Sequence, residues 1–539
     1  MTCDGCATSI EKRLQKKAGI LEKKVSYPAA SGTFTYDETK ISKEEIIQTI
    51  NTTGHYQVVG EMMPGKQKDT KSYDLIILGG GSAAFAAAIK AESLGLRTLM
   101  VNAGLNFGGT CVNVGCVPSK TLIRTAETIH RASHSPFSGV KPKGADIDFA
   151  RIIKDEKALV ATLQQKKYLD VVHDFKNLDL LKGWAEFTDE KTIRVNGKER
   201  YTALKFLIAT GARTRIPAVE GLNETGYLTN ISLFGLEEKP ESLTILGAGY
   251  IGCEMAMAYN RFGIKVRIIE FTERVLRSQM PDISEELEKQ MKNEGIEILP
   301  GYQAVKFEKQ GSVTLIRVKR PDGTLLDLAE PGKIVVATGI TANTEMLKPE
   351  KAGVKLAPNG HVAVNDKMET NIPHIYAAGD VADTPAYVYT AAFEGKIAVE
   401  NAFTGTGKSV DYSALPWVVF TDPQVAGAGL DEAGAKARNI PYEVSKVELK
   451  DVPRALAARD TRGFIKLIRH TATDKLIGAR IVAPEGGELI QALSMAIKYG
   501  LTVTELAENL YPYLTLGEGI KLAALTFGKD IAKLSCCAS

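Results

Sequence analysis

The sequence predicts an α/β chain built from two Rossmann-like dinucleotide-binding domains and a C-terminal α+β domain, with a small separate unit in front. Three observations predict it. Two glycine-rich turns, Gly79-Gly80-Gly81-Ser82-Ala83-Ala84 and Gly247-Ala248-Gly249-Tyr250-Ile251-Gly252, each follow an apolar run and open a helix-like run. Beyond Asp411 the pattern changes to clustered strands followed by helices. A length of 539 residues exceeds what one hydrophobic core organises.

Composition narrows the function classes. A hydrophobic fraction of 44% with 24% charged residues is that of a globular protein, and a net charge of +3 is too small to argue for nucleic acid or an anionic membrane as partner. The most apolar stretch, residues 75–89, is too short and too rich in Gly and Ala to span a bilayer. The N-terminus lacks a signal-peptide core, so a reducing cytoplasm is expected. Seven cysteines there point to redox or metal chemistry, and they fall as Cys3/Cys6, Cys111/Cys116, a lone Cys253 and Cys536/Cys537.

Residues 1–61 read as one unit: a helix at 7–17, strands at 21–27 and 32–37, a helix at 42–51 and a last strand at 57–59. Cys3 and Cys6 form a C-x-x-C loop able to hold one soft metal ion between two thiolates; a redox C-x-x-C is the alternative, though no Trp or Pro of that kind flanks it. Met1-Thr2-Cys3-Asp4-Gly5-Cys6 resembles the M-x-C-x-x-C motif of heavy-metal-associated domains, which implies a ferredoxin-like βαββαβ fold and metal binding at Cys3 and Cys6. That family's first strand precedes the motif. The unit is thus expected to be truncated, without central ladder partners, and poorly ordered or loosely attached. Residues 62–72, with Pro64, Gly65 and several lysines, read as a linker.

The first nucleotide-binding domain is expected over 73–215 and 345–410. The strand at 73–78 leads into the turn whose Gly79, Gly81 and Ala84 let backbone N–H groups approach a pyrophosphate at a helix N-terminus. The next strand ends in Asn102 where an acidic residue would meet an adenosine ribose. Asn102 can bond a hydroxyl, without charge assistance. Cys111 and Cys116 then stand five residues apart, with Pro118 acceptable in the first turn of a helix that continues through 121–131. Cys116 is expected near that helix N-terminus, which favours thiolate. Residues five apart in a regular helix rise by about 7.5 Å, beyond the roughly 7 Å that a disulfide spans, so bonding the pair requires an irregular turn, which Gly115 can supply. A redox pair is the reading adopted; two buried structural cysteines is the alternative that spacing leaves open. Two strands end alike, at Thr210-Gly211 and Thr338-Gly339, and a later apolar strand delivers Asp380 to a turn, where it suits a sugar-alcohol chain.

The second nucleotide-binding domain is expected over 216–344. Gly247, Gly249 and Gly252 form G-x-G-x-x-G, and the following strand ends in Glu270, placed to take a ribose 2′-hydroxyl. Arg274 and Arg277 stand close enough to receive a 2′-phosphate instead, so NADH and NADPH both remain open. Cys253 reads as a small core residue. In residues 411–539, strands are expected at 417–420, 442–448, 463–469 and 477–483, and helices at 488–499, 503–509 and 518–527. Adjacent Cys536 and Cys537 have Cα atoms near 3.8 Å apart, below the usual range for a disulfide, so they read as two thiols on a mobile tail.

From Tyr73 onward, two dinucleotide motifs around G-G-T-C-x-N-x-G-C-x-P-S-K resemble the flavoprotein disulfide reductases. The resemblance implies FAD held by the first motif, Gly109, Thr110, Thr210, Gly211 and Asp380, with a nicotinamide cofactor at the second. It implies Cys116 next to the flavin, Cys111 as the outer exchanging thiol, and a Lys120–Glu254 ion pair beside the flavin ring. Members that reduce disulfides carry His-Pro near the C-terminus to handle a proton. Here the segment is Tyr511-Pro512-Tyr513-Leu514-Thr515-Leu516, and the last histidine is His470. With the metal-binding front unit and the paired tail cysteines, the chain resembles the mercuric-ion-reducing branch. That resemblance implies Hg(II) as substrate, NADPH as reductant, Tyr168 and Tyr513 lining the inner metal site, and a homodimer in which Cys536/Cys537 serve the partner's active site. Disulfide reduction, of dihydrolipoamide or glutathione type, and non-enzymatic metal sequestration are the alternatives.

Overall fold

The structure is a computed structural model that describes residues 4–26, 31–52, 58 and 72–534. It divides into two compact units: Met1–Gly109 with Lys166–Ala212 and Ala342–Val410, and Thr110–Gln165 with Arg213–Thr341 and Asp411–Ser539. Cys3, the side chain of Cys6, Cys536, Cys537 and all but the last residue of the expected linker lie outside the described residues.

In the first unit, the front segment folds as helix Asp4–Leu14, an antiparallel hairpin of Ile20–Ser26 with Ser31–Tyr36, and helix Lys43–Asn51. Ser42 and Glu45 form a capping box that satisfies the start of the second helix. Ile10, Leu14, Ile41, Ile46 and Ile50 bury their side chains together, and among the described residues this hairpin is the only sheet of the segment. Of the strand expected at 57–59, only Val58 is described.

The remainder of this unit is organised by a mostly parallel sheet in the order Leu178–Lys182, Thr98–Asn102, Ser72–Leu78, Glu199–Ile208, to which Thr192–Val195 and Ala185–Asp189 add an antiparallel edge. The C-terminal half of Glu199–Ile208 also pairs in parallel with Ile375–Ala377. Residues 75–78 and 98–102 are buried throughout, as parallel strands covered on both faces must be. Helix Ser82–Ser93 packs on helix Val388–Thr404 through an alanine face. The approach is close: a Cβ on Gly395 would stand 2.2 Å from Ala83 O.

In the second unit, a parallel sheet runs Glu297–Pro300, Lys265–Glu270, Ser242–Leu246, Lys333–Val336, next in sequence to a three-stranded antiparallel sheet of residues 303–330. The C-terminal part is a five-stranded antiparallel sheet, in the order Trp417–Val419, Gln424–Gly429, Leu476–Ala483, Phe464–His470, Tyr442–Glu448. Helices Gly486–Tyr499 and Glu518–Leu525 contribute Ile490, Leu493, Ile520 and Ala523 to its core.

Two features depart from the sequence reading. Residues 110–165, read with the first nucleotide-binding domain, cluster with the second unit, because Leu122, Ile123, Ala126, Phe149 and Ile153 share one core with Met255 and Tyr259 of helix Tyr250–Arg261 and with Phe262 just after it. The strand Gln424–Gly429 was not expected, since Ala and Gly carry weak strand propensity. It forms because Val425, Ala426 and Ala428 are wholly buried against neighbouring strands.

Candidate active site

The two thiols occupy two short-range neighbours rather than one helix. Cys111 lies in helix Gly109–Val114, and Cys116 is the first residue of helix Cys116–Ser133. Gly115 separates them with φ −138° and ψ −109°, and a Cβ there would meet Thr110 O at 2.9 Å. The irregular turn required by the spacing is therefore present. Asn230 Nδ2 pins it by donating to Val114 O at 2.8 Å.

The pair is electrically polarised. The Cys116 thiol is lowered to about 7, first by the hydrogen bond from Cys111 and then, against the cost of burial, by the Lys120 ammonium. Cys111 moves up, because it donates that hydrogen bond and is partly buried. The hydrogen bond and Lys120 thus both favour thiolate at Cys116 and the proton on Cys111.

Lys120 Nζ lies 2.8 Å from Glu254 Oε2, on helix Tyr250–Arg261, and Glu254 is buried. The expected ion pair forms. Its second carboxylate oxygen accepts the Phe420 backbone N–H at 2.9 Å, and the Phe420 ring lies 4.6 Å below the Lys120 ammonium. Sequence reasoning missed Phe420, since nothing in an apolar strand end marks it as facing a charge.

Both nucleotide turns fit the groups expected of them. Gly81 caps helix Ser82–Ser93 and Gly249 caps helix Tyr250–Arg261, and neither end carries a side-chain cap, so both leave backbone N–H groups for a pyrophosphate. In the first unit, Gly109 has φ +66° and approaches so closely that a Cβ would stand 2.5 Å from Gly81 Cα. Gly79 and the buried Ala84 complete that turn. Asn102 is buried and donates from Nδ2 to Leu105 O at 2.8 Å, which leaves its carbonyl oxygen for a hydroxyl donor. Thr210 and Asn343 exchange side-chain to backbone bonds at 2.8 and 3.0 Å, fixing the strand end that carries Gly211. Asp380 is half-buried, its carboxyl pushed up by burial and then by Glu394. Glu394 itself accepts the Gly379 N–H at 2.7 Å.

In the second unit, Gly252 packs where a Cβ would stand 2.0 Å from Gly247 O. Glu270 points back at this turn: Oε2 accepts from Ala248 N, and Oε1 from Thr272 N and Oγ1. Arg274 is tied to Glu273, Arg277 O and Gln279 O, whereas Arg277 is 57% exposed beside Glu273. Cys253 is fully buried with Sγ on Ala248 O, a core residue as expected.

Tyr168 lies on the π-helical turn Gln165–Leu169 of the first unit, its hydroxyl 3.4 Å from Ser82 Oγ and its ring edge-on to Phe85 at 5.0 Å. π-turns cluster at functional positions and re-aim one side chain. Tyr513 is an exposed residue near the C-terminus.

Comparison with known proteins agrees with this chemistry. The pyridine nucleotide-disulphide oxidoreductase model matches residues 73–395, its dimerisation domain matches 415–524, and the heavy-metal-associated domain matches 1–55. A mercuric reductase of Lysinibacillus sphaericus is 40% identical over 100% of this chain and 98% of its own length; one from Staphylococcus aureus is 38% identical with the same coverage. Among solved structures, the Cu(II) complex of the HOCl-induced flavoprotein disulfide reductase RclA from Escherichia coli superposes with a TM-score of 0.76 at 27% identity, covering 85% of this chain and 100% of that one. A redox-poised thiol pair, two open pyrophosphate turns and end-to-end likeness of this extent place the chain in the mercuric reductase branch of the pyridine nucleotide-disulphide oxidoreductase family.

Proposed function

We propose that this chain reduces Hg(II) to Hg(0) with electrons from NADPH, as a flavoprotein homodimer in the cytoplasm. The observation that carries the reading is the likeness to mercuric reductases over the whole chain. The C-terminal chemistry agrees with it. A thiol leaving group needs an acid, no histidine follows His470, and tyrosine titrates near 10, too high to serve well. Reduction of a soft cation needs no such acid. Among the described residues, no helix is long and apolar enough to cross a membrane.

The thiols act as successive ligand pairs. Cys3/Cys6 and Cys536/Cys537 receive the soft ion, and Cys111/Cys116 accept it by thiol exchange, each incoming thiolate forming a bond to mercury as an outgoing one leaves. Cys111, the outer exchanging thiol, makes the first inner bond and gives up its proton as it does so, and the Cys116 thiolate makes the second. Tyr168 and Tyr513 line this inner site. Bound FAD supplies the transfer of two electrons from the nicotinamide to the substrate. Overall, NADPH and Hg(II) become NADP⁺, H⁺ and Hg(0), which thiolates hold poorly. Gly79, Gly81, Ala84, Gly109, Thr110, Thr210, Gly211, Asn102 and Asp380 hold the flavin nucleotide. Gly247, Gly249, Gly252 and Arg277 hold NADPH, with Glu270 and Arg274 shaping its loop.

The deciding experiment is anaerobic oxidation of NADPH by the purified holoenzyme with Hg(II), and separately with oxidised lipoamide or glutathione, while volatile mercury is trapped. Mercury vapour in step with NADPH consumption is expected. Turnover of the disulfides instead, or of none of the three, would overturn the reading.

A further inference from the structure

Phe420 contacts both members of the Lys120–Glu254 ion pair at once, of which the carboxylate is buried and the ammonium partly exposed. Its backbone N–H occupies Glu254 Oε1, the oxygen that Lys120 does not use, and its ring lies against the Lys120 ammonium at 4.6 Å. All three residues belong to the second unit. The segment that carries Phe420 is anchored two residues on: Asp422 takes Arg261 at 2.9 Å and Arg462 at 2.7 Å, and its backbone N–H meets Met257 S at 3.5 Å. Arg462 donates to the Asp422 carbonyl as well, and Arg261 is itself fixed by Glu294. A small cavity, lined by Ile123, Met257 and Arg261 together with Glu254, Phe420 and Asp422, adjoins this cluster. Two arginines spent on one loop aspartate are more than a chain turn requires.

On this geometry we infer that Phe420 is a positioning residue for the electron-transfer step. It acts through Lys120, and the Asp422–Arg261–Arg462 cluster keeps it in register. A π face at 4.6 Å and a carboxylate oxygen at 2.8 Å together restrict the ammonium, where water alone would let a four-carbon stem wander. A fixed cation favours the arrival of negative charge on a neighbouring acceptor. The inference rests on the flavoprotein reading above, in which the acceptor beside Lys120 is the flavin.

The test compares Phe420→Leu with Phe420→Tyr in the flavin-loaded enzyme, reading the flavin midpoint potential alongside flavin content and melting temperature. Phe420→Leu keeps the backbone N–H and the bulk but removes the π face, so its potential is expected to fall while flavin content is retained. Phe420→Tyr restores the π face and the wild-type potential. In a Lys120→Met background, Phe420→Leu should shift the potential no further, because the cation it positions is gone. Should Phe420→Leu lose its flavin, Phe420→Met gives the same comparison. An unchanged potential in a flavin-replete Leu or Met variant, or an equal shift with and without Lys120, overturns the inference and leaves the flavoprotein reading intact. A wild-type protein that binds no flavin overturns that reading instead.

Discussion

Glu270 Oε2 accepts the Ala248 backbone N–H at 2.6 Å, tying the end of one strand to the glycine-rich turn that follows its neighbour. The other carboxylate oxygen is taken by Thr272. A residue expected to read a ribose is therefore engaged in bracing the loop, and Arg274 is engaged likewise. On the NADPH reading proposed above, the 2′-phosphate falls to Arg277, which is exposed and paired with Glu273 at 3.0 Å. Arg277→Ala should raise KM for NADPH by about tenfold, the worth of one charge-assisted contact, and leave KM for NADH unchanged. Steady-state kinetics with both nucleotides check it; equal changes would put Arg277 outside the site.

The polarised thiols give a pH signature. In the two-electron-reduced enzyme, alkylation of Cys116 should follow a group titrating at about 7, with Cys111 reacting only at higher pH. Lys120→Met removes the cation that favours the thiolate, so the Cys116 midpoint moves up. Mass-resolved alkylation across the pH range reads both sulfurs separately. Faster labelling of Cys111 at neutral pH would reverse the assignment.

Glu156 is a buried carboxyl in helix Phe149–Gln164 whose pKa is pushed up to about 7 by burial. Its unfolded value is near 4.3. Below that, both states are protonated and burial carries no ionic cost. As pH rises from there to about 7, the unfolded state sheds its proton first and the fold loses stability. Glu156→Gln is thus expected to stabilise the protein above pH 7, by no more than about 4 kcal/mol, and to be neutral near pH 4. Denaturant unfolding at the two pH values measures this.

Lys466 is 2% exposed and donates to Asp282 at 3.0 Å and to Glu432 at 2.6 Å. Lys466→Ala strips Glu432 of its cation and leaves Asp282 only the longer contact to Lys446 at 3.6 Å, and should cost about 3–5 kcal/mol. Adding Asp282→Asn and Glu432→Gln to the same chain removes the stranded charge and should recover part of the loss. Unfolding of the flavin-loaded protein reports both.

The tail pair supplies a kinetic test. Replacing Cys536 and Cys537 together by Ala should slow turnover of bulky Hg(II)–dithiol complexes while flavin reduction by NADPH stays at the wild-type rate. Unchanged turnover of those complexes would remove the tail from the mechanism.

What the sequence made legible was local. Both nucleotide turns, the helix start at Cys116 and the break at Gly115 depend on residues within one or two turns of each other, and they are where spacing placed them. The Lys120–Glu254 pair was reached by resemblance, across 134 residues. Phe420 was not reached: it meets Glu254 across 166 residues, and an apolar side chain at a strand end carries no periodic mark of its role. Tyr168 was reached by resemblance, and its π-turn comes from one extra residue per turn that no hydrophobic pattern announces. Gln424–Gly429 escaped because its strand character comes from burial between partners and not from its own Ala and Gly residues.

With one sulfur on a six-residue helix and the other at the start of an 18-residue one, joined through a residue without a side chain, making or breaking a bond between them requires torsion at one joint and disturbs neither ladder. The compliance needed to admit an oversized guest is thereby confined to a single residue. Repeated opening and closing leaves the surrounding scaffold unfatigued.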